Sequence, residues 1–167
     1  MEDIMKFKTI IAAINMDDDL APGVLKTAIM LAKRDQAMLW VVDVWPDLNY
    51  TMATGIADPL GATAMLPSEA NLEADRKARN EREKELKAQV SKELPGGEAI
   101  ILVGEPAKEI TDFAREKTAD LIVVGTHQKG AWKALFDGAP SRDIVREAPC
   151  AVFLVPKSFA GKIVNSD

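Results

Sequence analysis

Cysteine and histidine are almost absent from this chain, and each scarcity removes a class of chemistry. The single cysteine, Cys150, excludes an internal disulfide and points to a reducing compartment. With His127 as the one histidine, the usual zinc ligand sets cannot be assembled from this composition. His127 has no convincing Ser, Cys or second His as a partner, so no catalytic residue is assigned and the expectation is a protein that is not an enzyme. Long apolar runs are also missing. None approaches the roughly 20 residues that span a bilayer. The opening Met1-Glu2-Asp3-Ile4-Met5-Lys6 has neither the cationic start nor the apolar run of a secretory signal. The expectation is a cytoplasmic protein with no membrane association. Positive charge is in deficit, with 21 Lys and Arg against 26 Asp and Glu and a net charge of -5. That balance argues against general affinity for nucleic acid.

What is present is a globular balance of 47% apolar and 28% charged residues over 167 positions, enough for one domain with its own core. The run Thr9 to Ile14 is short and unalternating, as in a strand buried on both faces. It stops at Asn15 and the acidic turn Asp17-Asp18-Asp19. Pro22 suits a helix's first turn, and Val24, Leu25, Ala28, Leu31 and Ala32 form an apolar stripe. Met38 to Val44 reads as a second strand. From Trp45 to about Ala70, Pro46, Gly55, Pro59, Gly61 and Pro67 mark a long loop. Leu72 to Leu94 is a charge-rich helix whose only apolar seam is Ala78, Leu86, Val90 and Leu94. It reads as a solvated surface helix.

Pro95-Gly96-Gly97 ends that helix, and Ala99 to Val103 makes a third strand. Pro106 opens a helix with Ala107, Ile110, Phe113 and Ala114 on one face. Leu121 to Val124 is a fourth strand ending at Gly125. A Gly-containing loop runs to Gly138, with Trp132, Leu135 and Phe136 packed beneath it. A helix then carries Ile144, Val145 and Ala148, and Ala151 to Val155 is a fifth strand. Cys150, after Pro149, reads as an inert buried thiol. The single domain spans residues 1–167, with a 6–156 core and a polar, loosely held 157–167 tail.

Strands alternating with helices imply a parallel sheet covered on both faces, and right-handed crossovers make it doubly wound. In such sheets ligands bind beyond the carboxyl ends of the strands. The places to search are Asn15 to Asp19, Asp43 to Trp45, Gly104 to Pro106, and Gly125 to Gly138. Only the last resembles a phosphate cradle, with glycines ahead of a helix N-terminus. Asp17-Asp18-Asp19 with Lys157 also invites comparison with phosphoreceiver domains. Those require an aspartate at the end of the third strand, where Leu102-Val103-Gly104 stands. The acidic cluster therefore reads as a solvated turn and helix cap.

Three segments resemble the universal stress protein family: Ala119-Asp120-Leu121-Ile122-Val123-Val124-Gly125-Thr126-His127, the stretch Arg146 to Val155, and Gly104-Glu105-Pro106-Ala107-Lys108-Glu109-Ile110. With the Ile10 to Asn15 strand, the resemblance covers roughly residues 6 to 156. It implies a five-stranded, three-layer α/β/α fold of strand order 3-2-1-4-5, of the adenine-nucleotide-hydrolase-like kind. It also implies a homodimer joined through Ala151, Val152, Phe153, Leu154 and Val155. Nucleotide-binding members are marked by Gly-x2-Gly-x9-Gly-Ser/Thr after the fourth strand and an Asp ending the first. Gly125 and Gly138 match, whereas Gln128, Ala139 and Asn15 stand where the family has Gly, Ser/Thr and Asp.

These departures remove a close backbone approach, a hydroxyl donor and an acceptor-only carboxylate. The resemblance then implies a non-enzymatic stress-response regulator with weak or no nucleotide binding, working through dimer surfaces and protein partners. The alternative is an ATP- or AMP-binding regulatory module with at most feeble hydrolysis. In it Gly125, Gln128, Lys129, Gly138 and Ser141 would surround the phosphates, with His127 and Ala139 in the same loop. Asn15 would hold ribose and Val44 adenine.

Overall fold

Unalternating apolar runs form strands here because helices cover both faces of the sheet they build. The computed structural model describes residues 6–47, 68–126 and 140–164. Its strands are β1 (Thr9–Ala13), β2 (Met38–Trp45), β3 (Glu98–Val103), β4 (Leu121–Thr126) and β5 (Ala151–Pro156). Its helices are α1 (Ala21–Asp35), α2 (Glu69–Glu93), α3 (Pro106–Glu116), α4 (Pro140–Glu147) and α5 (Lys157–Val164). The sheet has the order β3-β2-β1-β4-β5, and every neighbouring pair is parallel. The expected five-stranded order is therefore the one observed.

Strand alternation divides the core into two layers. Ile10 and Ala12 of β1, Leu39 and Val41 of β2, and Leu121 and Val123 of β4 face one side with α1, α2 and α5. Ile11, Ala13, Val42, Ile122 and Val124 face the other, against Ala107, Ile110 and Phe113 of α3 and Ile144 of α4. Ile10, Ile11 and Ile122 lose all solvent contact, each burial contributing about 1.5–3 kcal/mol.

Two sequence expectations change. The segment after Pro156 is not a loose tail: Lys157–Val164 is helical and lies on α1. Gly23 makes this possible, because a Cβ there would stand 2.3 Å from the Ala160 Cβ. The contact is a small-residue one that an apolar-pattern search passes over. The seam of α2 is also narrower than expected. Leu86 and Val90 are fully buried, but Ala78 is exposed. Most of the loop expected over residues 45–70 falls outside the described residues, as do Trp132, Leu135 and Phe136. Cys150 is half-buried beside the second core layer, and burial pushes its thiol up, followed by the nearby Asp120 charge. Among the described residues, no helix is long and apolar enough to cross a membrane.

One charged staple fastens the end of α1 to the segment that enters β1. Asp35, at the end of α1, accepts from Arg34 Nε at 2.6 Å and Nη2 at 2.9 Å, and from the Phe7 backbone N–H at 3.1 Å. The Arg34 hydrogen bonds, then the Phe7 N–H, hold its carboxyl down at about 2. An unfolded aspartate titrates near ~3.9, so the stabilisation is complete above that value and is lost as pH falls through about 2. In thermal melts, wild type should exceed Asp35→Asn by a constant margin at neutral pH. That margin should shrink steadily below about pH 4.

Candidate functional site

The chain turns opposite ways from β1: β2 lies on one side and β4 on the other, so their carboxyl ends part. A cleft of about 440 Å³ opens at this reversal point. Ala13, Leu20, Val24 and Val124 give it apolar walls, with Ile110 of α3 and Ile144 of α4 opposite. Asn15, Asp18, Asp43, Thr126 and Ser141 supply the polar groups. Of the residues proposed from sequence, Asn15, Val44, Gly125 and Ser141 meet in this one cleft. His127, Gln128, Lys129, Gly138 and Ala139 lie outside the described residues.

Gly125 has a packing reason of its own. A Cβ there would come within 3.1 Å of both Leu20 and Val24, the wall contributed by the start of α1. The N-terminus of α3 is closed by its own side chain: Glu105 accepts from the backbone N–H groups of Ala107 at 3.0 Å and Lys108 at 2.8 Å. This explains the Gly104-Glu105-Pro106 sequence as a helix start. The acidic turn resolves into separate contacts. Asp18 Oδ1 accepts from the Leu20 N–H at 2.8 Å, and Asp19 pairs with Lys157 at the start of α5.

The principal feature missed by sequence reasoning is Arg82. Asp43 lies on the α2-facing side of an apolar strand and is only 3% exposed. Its Oδ1 accepts from the Val44 N–H at 2.8 Å and its Oδ2 from Arg82 Nε at 2.6 Å. Arg82 Nη1 reaches Asp17 Oδ2 at 3.0 Å and Nη2 reaches Asn15 Oδ1 at 3.4 Å. The guanidinium also lies 5.8 Å from the ring centroid of Trp45, whose Nε1 donates to Asp75 at 2.7 Å. Asp75, Arg82, Leu86 and Val90 are spaced 7, 4 and 4 residues apart, which is one helix face. The helix is therefore docked by polar contacts in its first half and apolar ones in its second. Two signals pointed this way in the sequence: a lone aspartate in a buried strand, which needs a cation, and an arginine in line with the apolar seam.

Removing Arg82 leaves a buried carboxylate without its charged donor. Arg82→Met should lower stability in urea unfolding by about 1.5–3 kcal/mol. Lys84→Met, which removes only an exposed pair with Glu81, should change it by less than about 1 kcal/mol.

Comparison with known proteins agrees with this architecture. A universal stress protein of Thermus aquaticus is 47% identical over 62 residues, 37% of this chain and 45% of that protein. The chain thus aligns with less than half of that relative's length. Universal stress protein YxiE of Bacillus subtilis is 30% identical over 152 residues, covering 89% of this chain and 99% of its own. Among solved structures, a universal stress protein from Archaeoglobus fulgidus in complex with dAMP superposes with a TM-score of 0.58 at 22% identity, over 90% of this chain and 98% of that one. The family model described as the universal stress protein family matches residues 6–156, which takes in all five strands and the whole cleft: the chain belongs to that family.

Proposed function

We propose that the cleft binds an adenine nucleotide and that the protein works as a regulatory nucleotide-binding member of its family, without chemical turnover. The observation that carries this reading is the convergence of Asn15, Val44, Gly125 and Ser141 on one cavity at the strand-order reversal. Its volume, about 440 Å³, suits a small organic ligand, for which sites of roughly 300–1,000 Å³ are usual. Apolar walls and Val44 suit a base, while Ser141 and the start of α4 suit a phosphate. The Val44 N–H is already engaged by Asp43, so base contact at Val44 relies on other atoms. The family neighbour solved with dAMP supports the ligand class. The altered marker positions Asn15, Gln128 and Ala139 favour modest affinity over tight ATP binding. Within the cleft, the described residues offer hydrogen bonds and apolar surface rather than a nucleophile with its base.

The reading includes a homodimer along Ala151, Val152, Phe153, Leu154 and Val155. Strand β5 is an edge, Phe153 is 37% exposed and Val145 of α4 is 45% exposed. Pairing with a second copy covers such an edge. A cytoplasmic site of action and protein partners reading the dimer surface complete the reading. Calorimetry with AMP, ADP and ATP tests its core. Micromolar binding of at least one, with no phosphate released on prolonged incubation, is expected. No heat at millimolar nucleotide, or steady hydrolysis, overturns it.

A further inference from the structure

At the polar lip of the cleft, the Asn15 side chain is chemically one-sided. The Asp17 backbone N–H and the Arg82 guanidinium can only donate, and both meet the same atom of Asn15, at 3.0 Å and 3.4 Å. An atom facing two donors is the amide oxygen, so the orientation of the Asn15 side chain is fixed by chemistry. Both lone pairs of Oδ1 are then used. The amide nitrogen, with its two N–H bonds, is the group this exposed residue has left for a ligand. Nearby, Asp43 gives one oxygen to the Val44 N–H and the other to Arg82, Asp17 Oδ2 is held by Arg82, and Asp18 Oδ1 accepts from the Leu20 N–H.

We infer that Arg82 is a specificity-determining residue of the cleft: by occupying the Asn15 oxygen together with the Asp17 N–H, it makes Asn15 a hydrogen-bond donor. A carboxylate at position 15 would accept protons from a free sugar diol. The Asn15–Arg82 pair instead recognises an acceptor oxygen on the sugar and does not require that oxygen to carry a hydrogen. The inference rests on the nucleotide reading of the cleft and names the form of sugar the site tolerates, one whose hydroxyls are alkylated or otherwise capped at oxygen. Arg82 acts here through Asn15 and is a positioning residue, not a catalytic one.

The test is a ratio of affinities, which the folded fraction of a variant does not change. Calorimetry is run with AMP, 2′,3′-di-O-methyl-AMP, which keeps the oxygens and loses their hydrogens, and 2′,3′-dideoxy-AMP, which loses both. Wild type should bind the first two within about twofold of each other and the dideoxy form about fivefold more weakly. Asn15→Asp, which restores an acceptor, should disfavour the methylated ligand by about tenfold relative to AMP. Arg82→Lys, whose single ammonium is drawn to Asp43, frees one lone pair of Asn15 and should shift the ratio the same way. A tenfold loss on methylation in wild type overturns the inference, as does one common ratio in all three proteins. Wild type that binds none of the three at millimolar concentration removes the nucleotide reading itself, and the inference with it. Wild type that binds AMP yet rejects its ether removes the inference alone.

Discussion

A carboxylate buried in an apolar strand must be matched by a cation, and at Asp43 that requirement organises much of the molecule. The strand places Asp43 on the layer that faces α2, where solvent cannot serve it. Arg82 answers it, and the same planar guanidinium then reaches Asn15 and Asp17 at the end of β1. One side chain thereby ties the long outer helix to the carboxyl ends of two central strands. It also occupies the side-chain oxygen of Asn15 at the mouth of the cleft. The same interaction thus reaches the cleft, which opens where the sheet reverses its order and which Asp43 lines.

A second tie acts on the opposite wall. Helix α5 rests on α1 through the Gly23–Ala160 contact, and Lys157 pairs with Asp19 in the turn after β1. Leu20 and Val24, at the start of the same α1, form the wall that presses on Gly125. The position of α1 relative to β4 therefore sets both the width of the cleft and the need for glycine at 125. A residue that looks like a phosphate-loop marker is thus also required by packing, and its presence alone says less about ligand binding than the motif suggests.

The layers of this fold were legible in the sequence because five apolar runs and the stripes of α1 and α3 follow the periods that burial imposes. Strand order came from family resemblance, since periodicity carries no information about which strands adjoin. Asn15, Val44 and Gly125 meet at one rim because they stand at the carboxyl ends of β1, β2 and β4, and Ser141 joins them from the start of α4. Arg82 was missed because a helix with Glu, Lys and Arg in nearly every turn hides one anchored arginine among many solvated ones. Its partner, the solitary Asp43, and its alignment with Leu86 and Val90 distinguished it. The final helix was missed for the opposite reason: its contact uses glycine and alanine, which leave almost no hydrophobic signal.

Backbone amide NMR during titration with AMP tests the central claim most directly, that the reversal point of the sheet is the ligand site. The account predicts shifts gathered at Asn15, Val44, Gly125 and Ser141, with Met38 and Leu121, which begin β2 and β4, unmoved. Shifts confined to the outer face of α2, or to those opposite strand ends, would contradict it.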